Sequence, residues 1–218
     1  MTPDQFQLPV QLDYLAIFAW ALSGALVGLR KRFDLVGVFM TALVSSIGGG
    51  LIRDGVFIPS GEATPLLTDP RYIELIVAAT IASALFGRHV KRFHRLIAVI
   101  DALGLGAYAA FGTQKALVSG LAVPAAILVG VINAAGGGLL RDIITRQEPL
   151  VFKPGQFYVL TALAGAVVFV FITVQLEVDA TIAALAAIVA TFVFRVLTIA
   201  FNWRTTPVGS PGDEDVTP

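Results

Sequence analysis

The 218-residue chain contains no cysteine and only two histidines, His89 and His94. Without thiols there is no disulfide, no thiolate metal site and no cysteine nucleophile. The histidines sit among Arg88, Lys91, Arg92 and Arg95 and read as solvated residues of a basic loop. Charge is scarce too: 14% of residues are charged, against about 25% in a soluble domain. The formal net charge is zero, so no general attraction to nucleic acid follows. What fills the chain instead is apolar: 56% of residues are hydrophobic and the mean hydropathy is +0.83. Such a chain cannot cover a water-facing surface, and it reads as a one-domain integral membrane protein in contact with the lipid bilayer. Residues 1–13 carry Asp4 and Asp13 but no Lys or Arg. They lack the positive start of a signal peptide, so the first apolar stretch is expected to stay. No nucleophile–base constellation stands out, so neither an enzyme nor a cofactor is expected.

A membrane helix needs about 20 mostly apolar residues. Seven stretches qualify: Tyr14–Leu29, Leu35–Phe57, Tyr72–Phe86, Leu96–Phe111, Ser119–Thr145, Gln156–Leu176 and Thr181–Phe201. The third is short, so Glu74 or Arg88 is expected to reach the interface. Lys and Arg concentrate in cytoplasmic loops. With the N-terminus outside, the cytoplasmic segments hold Arg30, Lys31, Arg32, Arg88, Lys91, Arg92, Arg95, Arg141, Arg146, Lys153 and Arg204, while the outer ones hold only Arg53, Arg71 and Lys115. This predicts an outer N-terminus and a cytoplasmic C-terminus. The predicted organisation is an outer segment 1–13, a three-helix unit 14–95, a second three-helix unit 96–179, a seventh helix 180–203, and a Pro-, Gly- and acid-rich cytoplasmic tail 204–218 expected to be disordered.

One phrase occurs twice. "SSIGGGLIRD" (Ser45–Asp54) returns as "NAAGGGLLRD" (Asn133–Asp142), 88 positions later. Downstream, "PLLTDP" (Pro65–Pro70) matches "PLVFKP" (Pro149–Pro154). Upstream, "ALSGA" (Ala21–Ala25) reads against "LGLGA" (Leu103–Ala107), 82 positions later. Three helices per unit is an odd number, so the second unit enters the membrane from the opposite side, as an inverted-topology repeat typical of transport proteins. The expected fold is therefore all-α: seven transmembrane helices as a 3+3 inverted repeat plus one, with the second and fifth helices kinked at Gly-Gly-Gly.

Each glycine weakens a helix by about 1 kcal/mol relative to Ala. A freed carbonyl in lipid costs several kcal/mol, so broken backbone at Gly48, Gly49, Gly50 and Gly136, Gly137, Gly138 is expected to line a cavity. The competing reading is close helix packing through small residues, which accounts for Gly24 with Gly28 and Ala184 with Ala187. The carbonyl ends of two half-helices would carry partial negative charge toward the centre, and Thr41, Ser45, Ser46 and Asn133 would add neutral oxygens or bond between helices. Arg53, Asp54, Arg141 and Asp142 are expensive in a bilayer, at roughly 2.5–3.5 kcal/mol for a central charge. They are expected to face water or a partner, as a lock or gate. Neighbours on a helix point about 100° apart, so Arg53 need not pair with Asp54. Asp101 and Arg195 read as snorkelling ends or pore residues. Ala183, Ala184, Ala187 and Ala190 offer a small face for contact within or between subunits.

Seven spans with Gly-Gly-Gly-x-x-Arg-Asp in the second and fifth resemble the prokaryotic trimeric intracellular cation (TRIC) channels. The resemblance covers about Tyr14 to Phe201. It implies a homotrimer in a prokaryotic cell membrane, one pore per subunit beside the two kinked helices, and passage of K⁺ and, less selectively, Na⁺. It makes Gly48–Gly50 and Gly136–Gly138 the kinks, and Arg53, Asp54, Arg141 and Asp142 the motif's charged pairs. The animal members' Lys-Glu-Val motif, which helps bind a phosphoinositide, is absent from the fourth span, "DALGLGAYAAFG". Some bacterial relatives are labelled glycine transporters, so the alternative is a secondary carrier of a small solute such as glycine. A proton-driven carrier usually buries Asp, Glu or His in mid-membrane. The spans hold almost none, which favours the channel.

Overall fold

The structure is a computed structural model that describes residues 8–58, 68–87, 93–153 and 157–203. The histidine-containing basic loop and the expected disordered tail lie outside the described residues, apart from the backbone of 93–95. All regular structure among the described residues is helical: α1 (Val10–Arg30), α2 (Leu35–Ile52), α3 (Arg71–Phe86), α4 (Phe93–Val118), α5 (Val123–Ile144), α6 (Tyr158–Val170) and α7 (Ala180–Ala200). α2 continues into a π-helical turn, Arg53–Phe57, and α6 into another, Phe171–Gln175. Local chemistry fixes several starts. The Asp34 carboxylate accepts from Gly37 N at 2.8 Å, Asp179 accepts from Thr181 N at 2.8 Å, and α5 opens on Pro124. Six helices are long and apolar enough to cross a membrane. α3 has 16 residues and spans about 24 Å at 1.5 Å per residue, the short span that its sequence announces.

Two expectations are corrected. α4 runs to Val118 rather than ending near Phe111. The polar run after Gly112 stays helical because Thr113 Oγ1 donates back to Ala109 O at 2.7 Å and Lys115 reaches a carboxylate on another helix. The glycine triplets also do not unwind. α-Helical bonding runs through Gly48–Gly50 and through Gly136–Gly138, so no half-helix ends there and no carbonyl is freed. The irregular turn in the first unit comes afterwards, at Arg53–Phe57.

The triplets bring α2 and α5 together. A Cβ on Gly49 would lie 1.9 Å from Asn133 O, and one on Gly137 would lie 2.1 Å from Ser45 O. Each glycine thus meets the carbonyl four residues before the other, a reciprocal crossing that any side chain would forbid. α1 packs on α2, α3 and α4; α4 packs on α5, α6 and α1; α3 also touches α2, and α6 also touches α5. Exchanging α1–α3 for α4–α6 maps this pattern onto itself, with α7 added against α4 and α6.

The register of that exchange differs from the upstream match of 82. A Cβ on Gly24 would lie 2.7 Å from Ser45 Cβ, and one on Gly112 would lie 2.6 Å from Asn133 Cβ. These pairs are 88 apart, as are the motifs. Gly106, the partner of Gly24 at 82, instead seats Ile188 of α7. Ala183, Ala184 and Ala187 are fully buried against Ala110, Phe169 and Val170, which makes that face an intrasubunit contact. Large apolar side chains such as Leu128, Leu185, Val189 and Val193 point outward, as lipid contact requires.

Candidate functional site

Each end of the α2–α5 crossing opens into a polar cavity, and each cavity holds one copy of the motif. At the end where α5 finishes, a cavity of about 490 Å³ is walled by Arg30 of α1, Asp101 of α4, Arg141 and Asp142 of α5, Gln147 and Glu148 beyond it, and Arg195 and Thr198 of α7. Arg141 is its centre. Its Nε donates to Asp142 Oδ1 at 2.9 Å, and its Nη1 donates to Asp101 Oδ1 at 2.7 Å and to Ser23 Oγ at 2.9 Å. The guanidinium lies 5.8 Å from the Trp20 ring centroid, while Arg195 covers the Tyr158 ring at 5.1 Å. Two carboxylates and two guanidiniums compensate one another in a buried setting where a lone charge would be costly. Asp101 Oδ2 and Tyr158 Oη are both buried without a hydrogen-bond partner. Arg30 and Gln147 close one rim by a side-chain hydrogen bond.

The other end, where α2 finishes, is tighter. A cavity of about 50 Å³ is lined by Asp13 and Ile17 of α1, Ser46 and Gly50 of α2, Arg53 and Asp54, Tyr72, Tyr108 and Asn133. Arg53 holds Asp54 with two bonds, Nε to Oδ1 at 2.6 Å and Nη2 to Oδ2 at 2.8 Å. It also reaches across to Asn133 Oδ1 at 3.3 Å, and Lys115 of α4 adds a bond to Asp54 at 3.0 Å. Tyr72 donates to Asp13. At the rim, the hydroxyl of Tyr14 on α1 donates to Asp69, which lies outside the spans, and holds that carboxyl below its usual range.

Between the cavities lies a closed core. Tyr108 Oη donates to Ser46 O at 2.7 Å, Asn133 Nδ2 donates to Tyr108 O at 2.7 Å, and the Tyr108 ring stacks on Trp20 with centroids 6.2 Å apart. Trp20 and Tyr108 are themselves 88 positions apart, as are Asp13 and Asp101.

Placed against the sequence reading, Gly50, Ser46, Asn133, Arg53 and Asp54 meet in one cavity, and Arg141 and Asp142 lie in the other. Gly48, Gly49, Gly136, Gly137, Gly138, Thr41 and Ser45 line neither, because the helix contact consumes their space. The hydroxyls of Thr41 and Ser46 bond their own helix, Thr41 to Gly37 O and Ser46 to Ala42 O, each at 2.9 Å. Ser45 Oγ is buried and unpartnered. Both arginines pair with the adjacent aspartate, because a long side chain that curls back overcomes the angular separation. The repeated motif does not mark Asp13, Trp20, Tyr72, Tyr108 or Tyr158, and Lys115 lies on α4 rather than in a loop. The register of 88, carried upstream of the glycines, marks Trp20 with Tyr108 and Asp13 with Asp101.

Seven helices joined through a glycine crossing, with an Arg-Asp pair in a polar cavity at each end, define an integral membrane protein whose lipid-facing bundle encloses a polar interior. The chain belongs to the prokaryotic TRIC family, the UPF0126 membrane proteins. The sequence model of the family described as "Glycine transporter" matches residues 10–88 and 98–174. A UPF0126 membrane protein of Deinococcus radiodurans is 36% identical over 157 residues, 71% of this chain and 72% of its own. One from Bacillus subtilis is 30% identical over 72% of this chain and 77% of its own. Among solved structures, a TRIC trimeric intracellular cation channel orthologue from Rhodobacter sphaeroides superposes with a TM-score of 0.82 at 28% identity, covering 88% of this chain and 97% of that one. A second TRIC cation channel gives 0.79 at 30% identity, covering 94% and 99%.

Proposed function

We propose that this chain is a monovalent-cation channel of a bacterial cell membrane, passing K⁺ and, less selectively, Na⁺, with one path per subunit of a homotrimer. The observation that carries the reading is the pair of polar cavities entering the bundle from opposite ends and stopping at one central partition. Likeness to TRIC cation channels over nearly their whole length supports it. So does the state of the motif carboxylates and Asp101: each is held in an ion pair with an arginine or lysine rather than waiting for a transported proton.

The two three-helix units form an inverted repeat, with the N-terminus outside, the Arg53 cavity on the outer side and the Arg141 cavity on the cytoplasmic side. Ions pass beside Gly50, Ser46 and Asn133 on one side of the partition and beside the Arg141–Asp142 pair on the other. Gly48, Gly49, Gly136, Gly137 and the Ser45 carbonyl hold α2 and α5 together around that path, while Thr41 packs on Gly28 of α1 and Gly138 on Trp20. The motif pairs lock the two units, Arg53 through Asn133 and Arg141 through Ser23. Orientation is checked with the chain's freedom from cysteine. A Gly50→Cys variant and a Glu148→Cys variant should react with an impermeant thiol reagent from opposite faces of the cell membrane; labelling from one face removes the inverted repeat.

A second reading, a carrier for a small zwitterion such as glycine, is favoured by the family description and by the inequality of the cavities, about 490 against 50 Å³. An alternating-access carrier caught open to one side has that shape. Purified protein in liposomes separates the two. Dye-reported K⁺ flux without saturable uptake of labelled glycine supports the channel; saturable glycine uptake without K⁺ flux supports the carrier.

A further inference from the structure

We propose that the stacked pair Trp20–Tyr108 is the barrier between the two cavities, and that conduction requires its displacement. The inference rests on the channel reading and adds the residues that close the path. Tyr108 lines the smaller cavity and Arg141 lines the larger one. Trp20 lines neither, yet it touches both of these side chains. Its indole stacks on Tyr108 at 6.2 Å with 16° between planes, and the Arg141 guanidinium lies 5.8 Å from its ring centroid. A path that runs from Tyr108 in one cavity to Arg141 in the other therefore crosses two aromatic rings.

The chain makes room for the indole at two glycines. A Cβ on Gly104 would lie 2.5 Å from Trp20 Nε1, and one on Gly138 would lie 3.4 Å from Trp20 Cη2. The pair bridges the two three-helix units, Trp20 on α1 and Tyr108 on α4, at equivalent positions of the 88-residue register. Sliding of α1 against α4 parts the rings.

The closed arrangement also carries an unmet demand. Trp20 is fully buried and its Nε1 has no acceptor, whereas a buried indole N–H ordinarily finds one. Tyr108, by contrast, is pinned through its hydroxyl to Ser46 O. The indole is thus the member of the pair that loses no hydrogen bond when it swings, and any water or carbonyl that it meets is a gain. Aromatic rings stop hydrated ions by excluding water from the constriction.

K⁺ flux into liposomes is measured for the full chain and for Trp20→Ala, Trp20→Phe and Tyr108→Phe, each checked for melting temperature and elution volume against wild type. Trp20→Ala should raise flux at least tenfold, Trp20→Phe should fall between it and wild type, and Tyr108→Phe should raise flux modestly by freeing the pin without removing the ring. If Trp20→Ala does not fold, Trp20→Phe carries the test. Wild-type flux in well-folded Trp20 variants overturns the barrier.

A second readout does not depend on flux. Gly50→Cys places a thiol in the smaller cavity, where a Cβ meets only Arg53 Nη2 at 3.8 Å. In the wild-type background, a cationic methanethiosulfonate should label it from one face only. With Trp20→Ala added, labelling from the opposite face should appear. Labelling that stays one-sided overturns the proposal. Two-sided labelling with no K⁺ flux in any variant keeps the barrier and overturns the channel reading, so the two failures are distinct.

Discussion

The phrase around Arg53 and the phrase around Arg141 share six of ten letters, yet their surroundings differ in nearly every physical respect. Arg53 stands on a π-helical turn, Arg141 on an unbroken α-helix. The Arg53 side chain keeps 13% exposure and shares its aspartate with Lys115, a residue at the surface; Arg141 keeps 3% and pairs with two carboxylates, one of them on α4. The cavity beside Arg53 is about a tenth of the other. The repeat therefore dictates where a charged pair is placed, while the residues around it decide how firmly it is held. On the Arg53 side Tyr72 closes on Asp13. On the Arg141 side Asp101 keeps one oxygen, and Tyr158 its hydroxyl, without a hydrogen-bond partner.

The common element, the glycine crossing, breaks the comparison most severely when it is removed. Gly49→Ala and Gly137→Ala each put a methyl group about 2 Å from a backbone carbonyl, which no side-chain rotation relieves. Each should cost about 3 kcal/mol or more and abolish the assembled protein, read as loss of the folded peak in detergent. Melting near the wild-type temperature would remove the crossing from the account.

The next largest effect separates the two motifs. Arg141→Met leaves Asp101 and Asp142 with Arg195 as the nearby cation and should cost about 3–5 kcal/mol, as breaking a buried pair does. Arg53→Met leaves Asp54 bonded to Lys115 and should cost less, about 1.5–3 kcal/mol, the range of a hydrogen bond to a charged group. Thermal melts of the two variants side by side measure the difference; equal losses would mean that the surroundings do not matter.

The smallest effects sharpen the contrast within one motif. Gly50 neighbours Gly49, but a Cβ there makes only an ordinary contact, 3.8 Å from Arg53 Nη2. Gly50→Ala should be neutral or stabilising by up to about 1 kcal/mol through helix propensity. A loss as large as that of Gly49→Ala would show that composition of the triplet, rather than contact, sets its role. Lys115→Met should weaken the Arg53 motif by under about 1 kcal/mol, with a loss that shrinks in high salt.

Much of this was legible in the sequence. Hydropathy located seven helices, and the doubled phrase identified the family and the two charged pairs. Propensity alone counts the cost of the glycines and marks them as breaks; it cannot see the facing carbonyls of Ser45 and Asn133, whose close approach only glycine allows. The end of α4 was hidden because Gly112-Thr-Gln-Lys reads as a loop until Lys115 finds Asp54. Trp20 and Tyr108 carried no signal as individual apolar residues, and the local match at 82 drew attention away from the register that aligns them.

The central claim is a continuous cation path through this bundle, and unitary current is its most direct measure. Purified protein in a planar bilayer with KCl at unequal concentrations should give discrete steps, with a reversal potential displaced toward that of K⁺. The absence of steps, with reconstituted protein that nonetheless takes up glycine to saturation, would contradict the claim.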